Sequence, residues 1–196
     1  LISIFAPTAS DDSGNGMPGN PVTVNVLSND TPGDAAFVPG SVQIDGTSSA
    51  GASLVVPGEG TWSVNGVTGA ITFTPNPGFV GSPTPIQYFV KDLNNIGSNL
   101  ATVTITYPVG PTAVDDAKAT NINTPVDIEV PDNDLAGDNP LNPTTVTLVP
   151  GTTPDPLTEG TFTVDAVTGV VTFTPVFAFT GIVTVDYQIC DIIGLC

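Results

Sequence analysis

The sequence predicts an all-β protein: two tandem immunoglobulin-like antiparallel β-sandwiches arranged end to end, the second lacking its own final strand. Three observations predict it. One ordered set of landmarks occurs twice in the 196 residues. Apolar and polar residues alternate with period two, as in half-buried strands. No stretch sustains the 3.6-residue period of a helix, and 21 Gly and 20 Pro punctuate the chain.

The repeat comes first, because it decides the architecture. Pro7-Thr8-Ala9 with Asp11-Asp12 matches Pro111-Thr112-Ala113 with Asp115-Asp116. The run Pro21 to Asp30 matches Pro125 to Asp134 without a gap, and Gly60 to Pro75 matches Gly160 to Pro175. Phe79 and Gly81 pair with Phe179 and Gly181, and Tyr88 pairs with Tyr187. The first domain is therefore expected over residues 7–110 and the second over 111–196.

The second copy stops early. In the first, Tyr88 to Asp92 leads through Leu93–Asn99 into the alternating run Leu100 to Tyr107; in the second, Tyr187 to Asp191 leads only to Cys196. At the other end, Leu1-Ile2-Ser3-Ile4-Phe5 stands ahead of the Pro-Thr-Ala landmark, where a final strand belongs. Residues 1–6 are read as a final-type strand that belongs to, or is donated to, a preceding domain.

Strands follow from alternation at Val22/Val24/Val26, Val42/Ile44, Trp62/Val64, Ile71/Phe73, Ile86/Tyr88/Val90 and Val103/Ile105/Tyr107. Asn65–Gly69 and Asp165–Gly169 read as hairpin loops between strands. Some seven strands per ~100 residues give a sandwich of immunoglobulin type, without the Cys and Trp spacing of antibody domains. The short, Pro-bounded linker Pro108-Val109-Gly110-Pro111 predicts a stiff connection.

Taken together, Pro-x-Ala-x-Asp-Asp, Pro-Val-x-Val-x-Val-Leu-x-Asn-Asp, Thr-Gly-x-Ile-Thr-Phe-Thr-Pro, Tyr-x-Val-x-Asp and Ala-Thr-Val-Thr-Ile resemble the bacterial immunoglobulin-like or cadherin-like tandem repeats of large surface adhesins, including fibrillar adhesins of the CshA type. The resemblance spans nearly all of both copies. It implies an extracellular position at the bacterial cell surface and a role in cell adhesion. Such repeats also serve as spacers in secreted enzymes and matrix proteins.

Composition narrows the function. Nineteen Asp and Glu stand against two Lys, for a net charge of −17, and there is no His. So acidic a surface repels phosphate backbones and anionic headgroups, so neither a nucleic-acid partner nor membrane insertion of this segment is expected. Without His, serine and threonine hydroxyls have no ready base, and an enzyme is not expected. No cofactor is required by any motif.

Acidic residues gather where strands end. Asp11, Asp12, Asp30, Asp34 and Asp92 are expected at one end of the first domain. Asp115, Asp116, Asp132, Asp134, Asp138 and Asp191 are expected at the junction with the second. Carboxylates beside Asn side chains and loop carbonyls are hard-oxygen ligands for Ca²⁺, and cadherin-like repeats use such ions to stiffen junctions; Asp and Asn also simply make turns. Cys190 and Cys196 flank a tight loop and are expected to form a disulfide in an oxidising compartment.

The reading that leads is structural: a subunit or segment of an extracellular filament or fibrillar adhesin stalk. Identical subunits assemble head to tail, by donor-strand complementation through Leu1, Ile2, Ser3, Ile4 and Phe5, or the partners are neighbouring repeats of a longer chain. The alternatives are a binding module for a host or matrix glycan or protein, for which Phe37 and Phe177 are the best exposed aromatics, and spacer repeats of a larger secreted protein.

Overall fold

A computed structural model describes residues 4–196, so Leu1, Ile2 and Ser3 of the expected donor strand lie outside the described residues. The chain divides into two compact units, Leu1–Pro108 and Val109–Cys196.

The first unit contains β1 (Asp12–Asn15), β2 (Val22–Val24), β3 (Phe37–Ile44), β4 (Leu54–Val56), β5 (Gly60–Val64), β6 (Ile71–Pro75), β7 (Ile86–Asp92) and β8 (Ala101–Thr106). They form two four-stranded sheets, ordered β1-β8-β7-β3 and β2-β6-β5-β4. The inward residues of the alternating runs meet between the sheets: Val42, Ile44, Trp62, Ile71, Phe73, Tyr88, Val90, Val103 and Ile105 are all fully buried. Trp62 and Phe73 face each other across the β5–β6 ladder, with ring centroids 4.9 Å apart.

The sandwich interior is thus what the alternation predicts, but two strands escape it. β1 reads Asp-Ser-Gly-Asn and has no apolar residue. Its only partner is β8, along which it runs parallel. Its inner face is set by Gly14 and Gly16, where a Cβ would come within 2.8 Å of Val24 and 2.3 Å of Val22. Glycine is required there for close approach, not for an unusual backbone angle. β4 is a short edge strand on β5.

Both copies carry the same irregularity. The β3–β7 register shifts between Val38 and Gln43, around Pro39-Gly40. The Ser41 hydroxyl donates to the Val38 carbonyl and accepts the Lys91 amide, replacing ladder bonds that proline and the bulge remove. Thr145 repeats these contacts with Asn142 and Cys190.

The second unit contains β9 (Val126–Ile128), β10 (Leu141–Leu148), β11 (Gly160–Val164), β12 (Val171–Pro175) and β13 (Tyr187–Asp191). Its sheets are β10-β13 and β9-β12-β11. Among the described residues, no strand occupies the place of β8, as the sequence implies. The loss extends further. Residues 114–122, which match β1, form no strand, because the neighbour that β1 pairs with is missing. The β4 equivalent, Pro154-Asp155-Pro156, also forms no strand, since two prolines remove the ladder donors.

Candidate functional site

The feature that sets the second unit apart is an open groove of about 920 Å³. Its floor is made by Val126, Ile128, Val171, Phe173 and Phe179, and its sides by residues 113–122 and 181–187. The equivalent space in the first unit is filled by β8, whose Ala101, Val103 and Ile105 are buried, together with Tyr107. The cost of the vacancy is visible in the core. The first unit buries sixteen clustered residues, and the second only Val130, Val146, Val171 and Ile189. Phe162 and Tyr187, whose counterparts Trp62 and Tyr88 are fully buried, remain half-exposed.

The groove presents strand-pairing groups of known orientation. In the first unit, β8 runs antiparallel to β7, with Tyr88 opposite Ala101 and Ile86 opposite Val103. On its other edge Asp12 faces Val103 and Gly14 faces Ile105. The entrance is held by Asn99, which donates to the Ala9 carbonyl (2.8 Å) and accepts the Ala9 amide (2.9 Å). The Thr102 amide donates to Asp11 Oδ1 (2.7 Å), and the Tyr107 hydroxyl donates to the Asn20 carbonyl (2.6 Å). The repeat places Ala113, Asp115 and Thr124 at the positions of Ala9, Asp11 and Asn20. The loop that leads into the strand is also reproduced. The Asp191 amide bonds the Leu195 carbonyl as Asp92 bonds Ile96, and Asp191 Oδ1 accepts the amides of Ile193 and Leu195 as Asp92 Oδ1 accepts those of Asn94 and Ile96. Cys190 and Cys196 are disulfide-bonded across this loop.

The acidic residues separate into three kinds of place. Asp12 and Asp30 converge on the Tyr88 hydroxyl, which lies 3.0 Å from Asp12 Oδ2, 3.0 Å from Asp30 Oδ2 and 3.0 Å from the Val26 carbonyl. Asp30 also accepts the Ser10 amide, and Asp11 sits beside them at the edge of β8. In the second unit Tyr187 donates to Asp134 (2.6 Å) near Asp116, with Asp115 in the place of Asp11. Asp34 and Asp138 each clamp the chain entering their unit: Phe5 and Val109 donate to these carboxylates and accept the Asp34 and Asp138 amides in return. Asp92 and Asp191 cap the loops described above, while Asp132 lies in a short 3-10 turn at Val130–Asp132. Among the described residues, no group of three Asp, Glu or Cys side chains is placed to hold a metal ion. The expected Ca²⁺ ligands are instead brought to tyrosine hydroxyls and backbone amides.

The tyrosine–carboxylate clusters were not visible as such in the sequence; the recurrence of Tyr88 and Tyr187 with two Asp-Asp landmarks was the available signal. Their electrostatics follow from geometry. One hydroxyl proton serves two carboxylates, so burial and mutual repulsion raise the Asp12 pKa to about 6, and burial raises that of Asp30. Burial and the same carboxylates push the Tyr88 and Tyr187 hydroxyls well above the usual tyrosine range.

The folded first unit therefore holds the Asp12 proton more tightly than the unfolded chain does. The associated stability is fully present below about pH 4 and is lost as pH rises through about 6. Because the group is partly solvated, screening reduces the effect to about 1 kcal/mol. Asp12→Asn, which keeps an acceptor for Tyr88 and removes the charge, is expected to stabilise the first unit by about that amount at pH 7.5 and to flatten its profile between pH 4 and 7. Urea unfolding followed by Trp62, the chain's single tryptophan, measures this unit alone. A mutant profile as steep as that of the parent would refute the assignment.

Residues 5–110 match the model of the surface adhesin CshA repetitive domain, and residues 109–196 match that of the bacterial Ig domain. The chain belongs to the surface adhesin CshA repeat family. The class so defined is a surface-adhesin segment of Ig-like β-sandwich repeats. Among solved structures, the chain is similar to the endo-fucoidan hydrolase MfFcnA9 from glycoside hydrolase family 107, at 15% identity and a TM-score of 0.34, over 90% of this chain and 30% of that one. No curated protein matches it.

Proposed function

We propose that the chain is a stalk segment of a bacterial surface adhesin and that copies of it assemble head to tail, residues Leu1–Phe5 of one copy entering the second-unit groove of the next. The observation that carries this reading is the shared entry clamp. Phe5 meets Asp34 as Val109 meets Asp138, with N–H···O distances of 2.7 and 2.8 Å to the carboxylate and 3.0 Å for both return bonds. Val109 follows β8 and Tyr107-Pro108 directly. In that frame Leu1 takes the sequence position of Ile105, and Ser3 that of Tyr107. The segment ahead of the first unit thus corresponds to the end of a last strand, which is what the groove lacks.

A strand supplied by another copy makes a heterologous contact, which extends into a filament unless its rotation closes a ring. The acidic, Pro- and Gly-rich composition and the family of surface adhesins both support a mechanical role outside the cell. Deleting residues 1–6 is expected to leave a monomer whose first unit melts close to the parent and which forms no filaments, as read by light scattering and electron microscopy. Filaments of normal length from the truncated chain would overturn the donor role of these residues.

A further inference from the structure

Resting on that reading of the groove as a strand acceptor, we propose that the groove selects its occupant over seven positions, not the three that Leu1–Ser3 reach. The occupant is a β-strand with an anchoring Asn two residues ahead of a small residue, then β-branched residues at alternate positions, ending in an aromatic. It runs antiparallel to β13 and parallel to residues 116–119.

The first unit supplies the measure. Between the entry anchor and the exit clamp, Ala101, Val103, Ile105 and Tyr107 point inward, and their exposures do not exceed 2%. Leu1 and Ser3 correspond to the last two of these. The deep half of the groove, which faces Tyr187 and Val185, corresponds to Ala101 and Val103. A small residue is needed opposite Tyr187, because that ring is fixed by its hydroxyl bond to Asp134 and cannot withdraw from a larger neighbour. The anchor is needed because the Ala113 N–H and C=O, at the positions of the Ala9 groups that Asn99 binds, carry no hydrogen bond among the described residues. A bonded Asn satisfies both at once.

The far end of the groove differs from its counterpart. Ser82, whose hydroxyl accepts the Tyr107 amide, is replaced by Ile182, which is 91% exposed and lines the groove. The exit therefore favours an apolar or aromatic side chain over an additional polar contact. This end also suits the Leu1 position of the proposed donor.

The test uses the full chain and synthetic peptides. A peptide of residues 98–109 carries the complete pattern, and one of residues 1–6 carries the short one. The long peptide is expected to bind with one copy per chain, protecting amides of residues 115–119 and 185–189 from hydrogen exchange and none in the first unit. The short peptide is expected to bind at least about tenfold more weakly. Replacing Ala101 by Phe in the long peptide should weaken it about tenfold or more, and Asn99 by Ala about threefold to tenfold. Equal affinity of the two peptides, or indifference to Ala101→Phe, overturns the seven-position selection while leaving the head-to-tail reading intact. No binding by the long peptide overturns the selection and the groove's acceptor role together. Filament loss on deletion of residues 1–6 is scored separately and bears only on the donor.

Discussion

Extending the chain after Cys196 with the sequence of residues 98–109 raises the unfolding midpoint of the second unit by about 10–20 °C and leaves that of the first unchanged. Cys196 holds the sequence position of Gly97, and the Asp191 loop follows the same hydrogen-bonded course as the Asp92 loop, so the added residues begin where β8 begins. Four inward side chains would leave water, each large one contributing roughly 1.5–3 kcal/mol. New ladder bonds on both edges add about 0.5–1.5 kcal/mol each, and most of this sum is offset by ordering a free segment. A net gain of about 2–4 kcal/mol shifts the midpoint of so small a domain by the stated amount. Calorimetry of the parent and extended chains provides the check, with Trp62 fluorescence identifying the first-unit transition. If the second-unit transition does not move, the groove is not a strand site.

Trp62→Ala costs the first unit about 3–5 kcal/mol, whereas Phe162→Ala costs the second about 1–2 kcal/mol. The two side chains hold equivalent places opposite Phe73 and Phe173, with centroid separations of 4.9 Å in both pairs. They differ in what lies over them. Trp62 is fully enclosed between two four-stranded sheets, so truncation leaves a cavity that the rigid surroundings cannot close. Phe162 borders the open groove, so its removal enlarges a space that water already reaches. Chemical denaturation followed by circular dichroism separates the two costs. Equal losses would mean that the second core is closed by something other than a last strand.

Much of this architecture was legible in the sequence. The alternating runs fixed which side chains face inward, because strand periodicity leaves an apolar residue at every second position only one face to occupy. The repeat exposed the missing last strand before any coordinate was available, and six residues between two cysteines were enough to expect the disulfide. The polar strand β1 was not legible, since Asp-Ser-Gly-Asn has neither alternation nor β propensity. It exists only because β8 offers it a ladder, and the equivalent residues in the second unit, Asp116 to Ala119, form no strand without that neighbour.

The acidic clusters show the same division. Composition placed Asp residues at strand ends and suggested hard-oxygen ligands, but not which atoms would claim them. Tertiary structure brings Asp12 and Asp30 to one tyrosine hydroxyl, and sends Asp34, Asp92, Asp138 and Asp191 to backbone amides. These partners lie up to 76 residues away, beyond the reach of any local pattern. The sequence by itself therefore determined which residues are buried in strands and that one strand is lacking. Only the tertiary structure decided what that lack opens: an apolar groove whose polarity, register and anchoring groups come from strands far apart in the chain, because a sheet's edge is defined by its neighbours and not by its own residues.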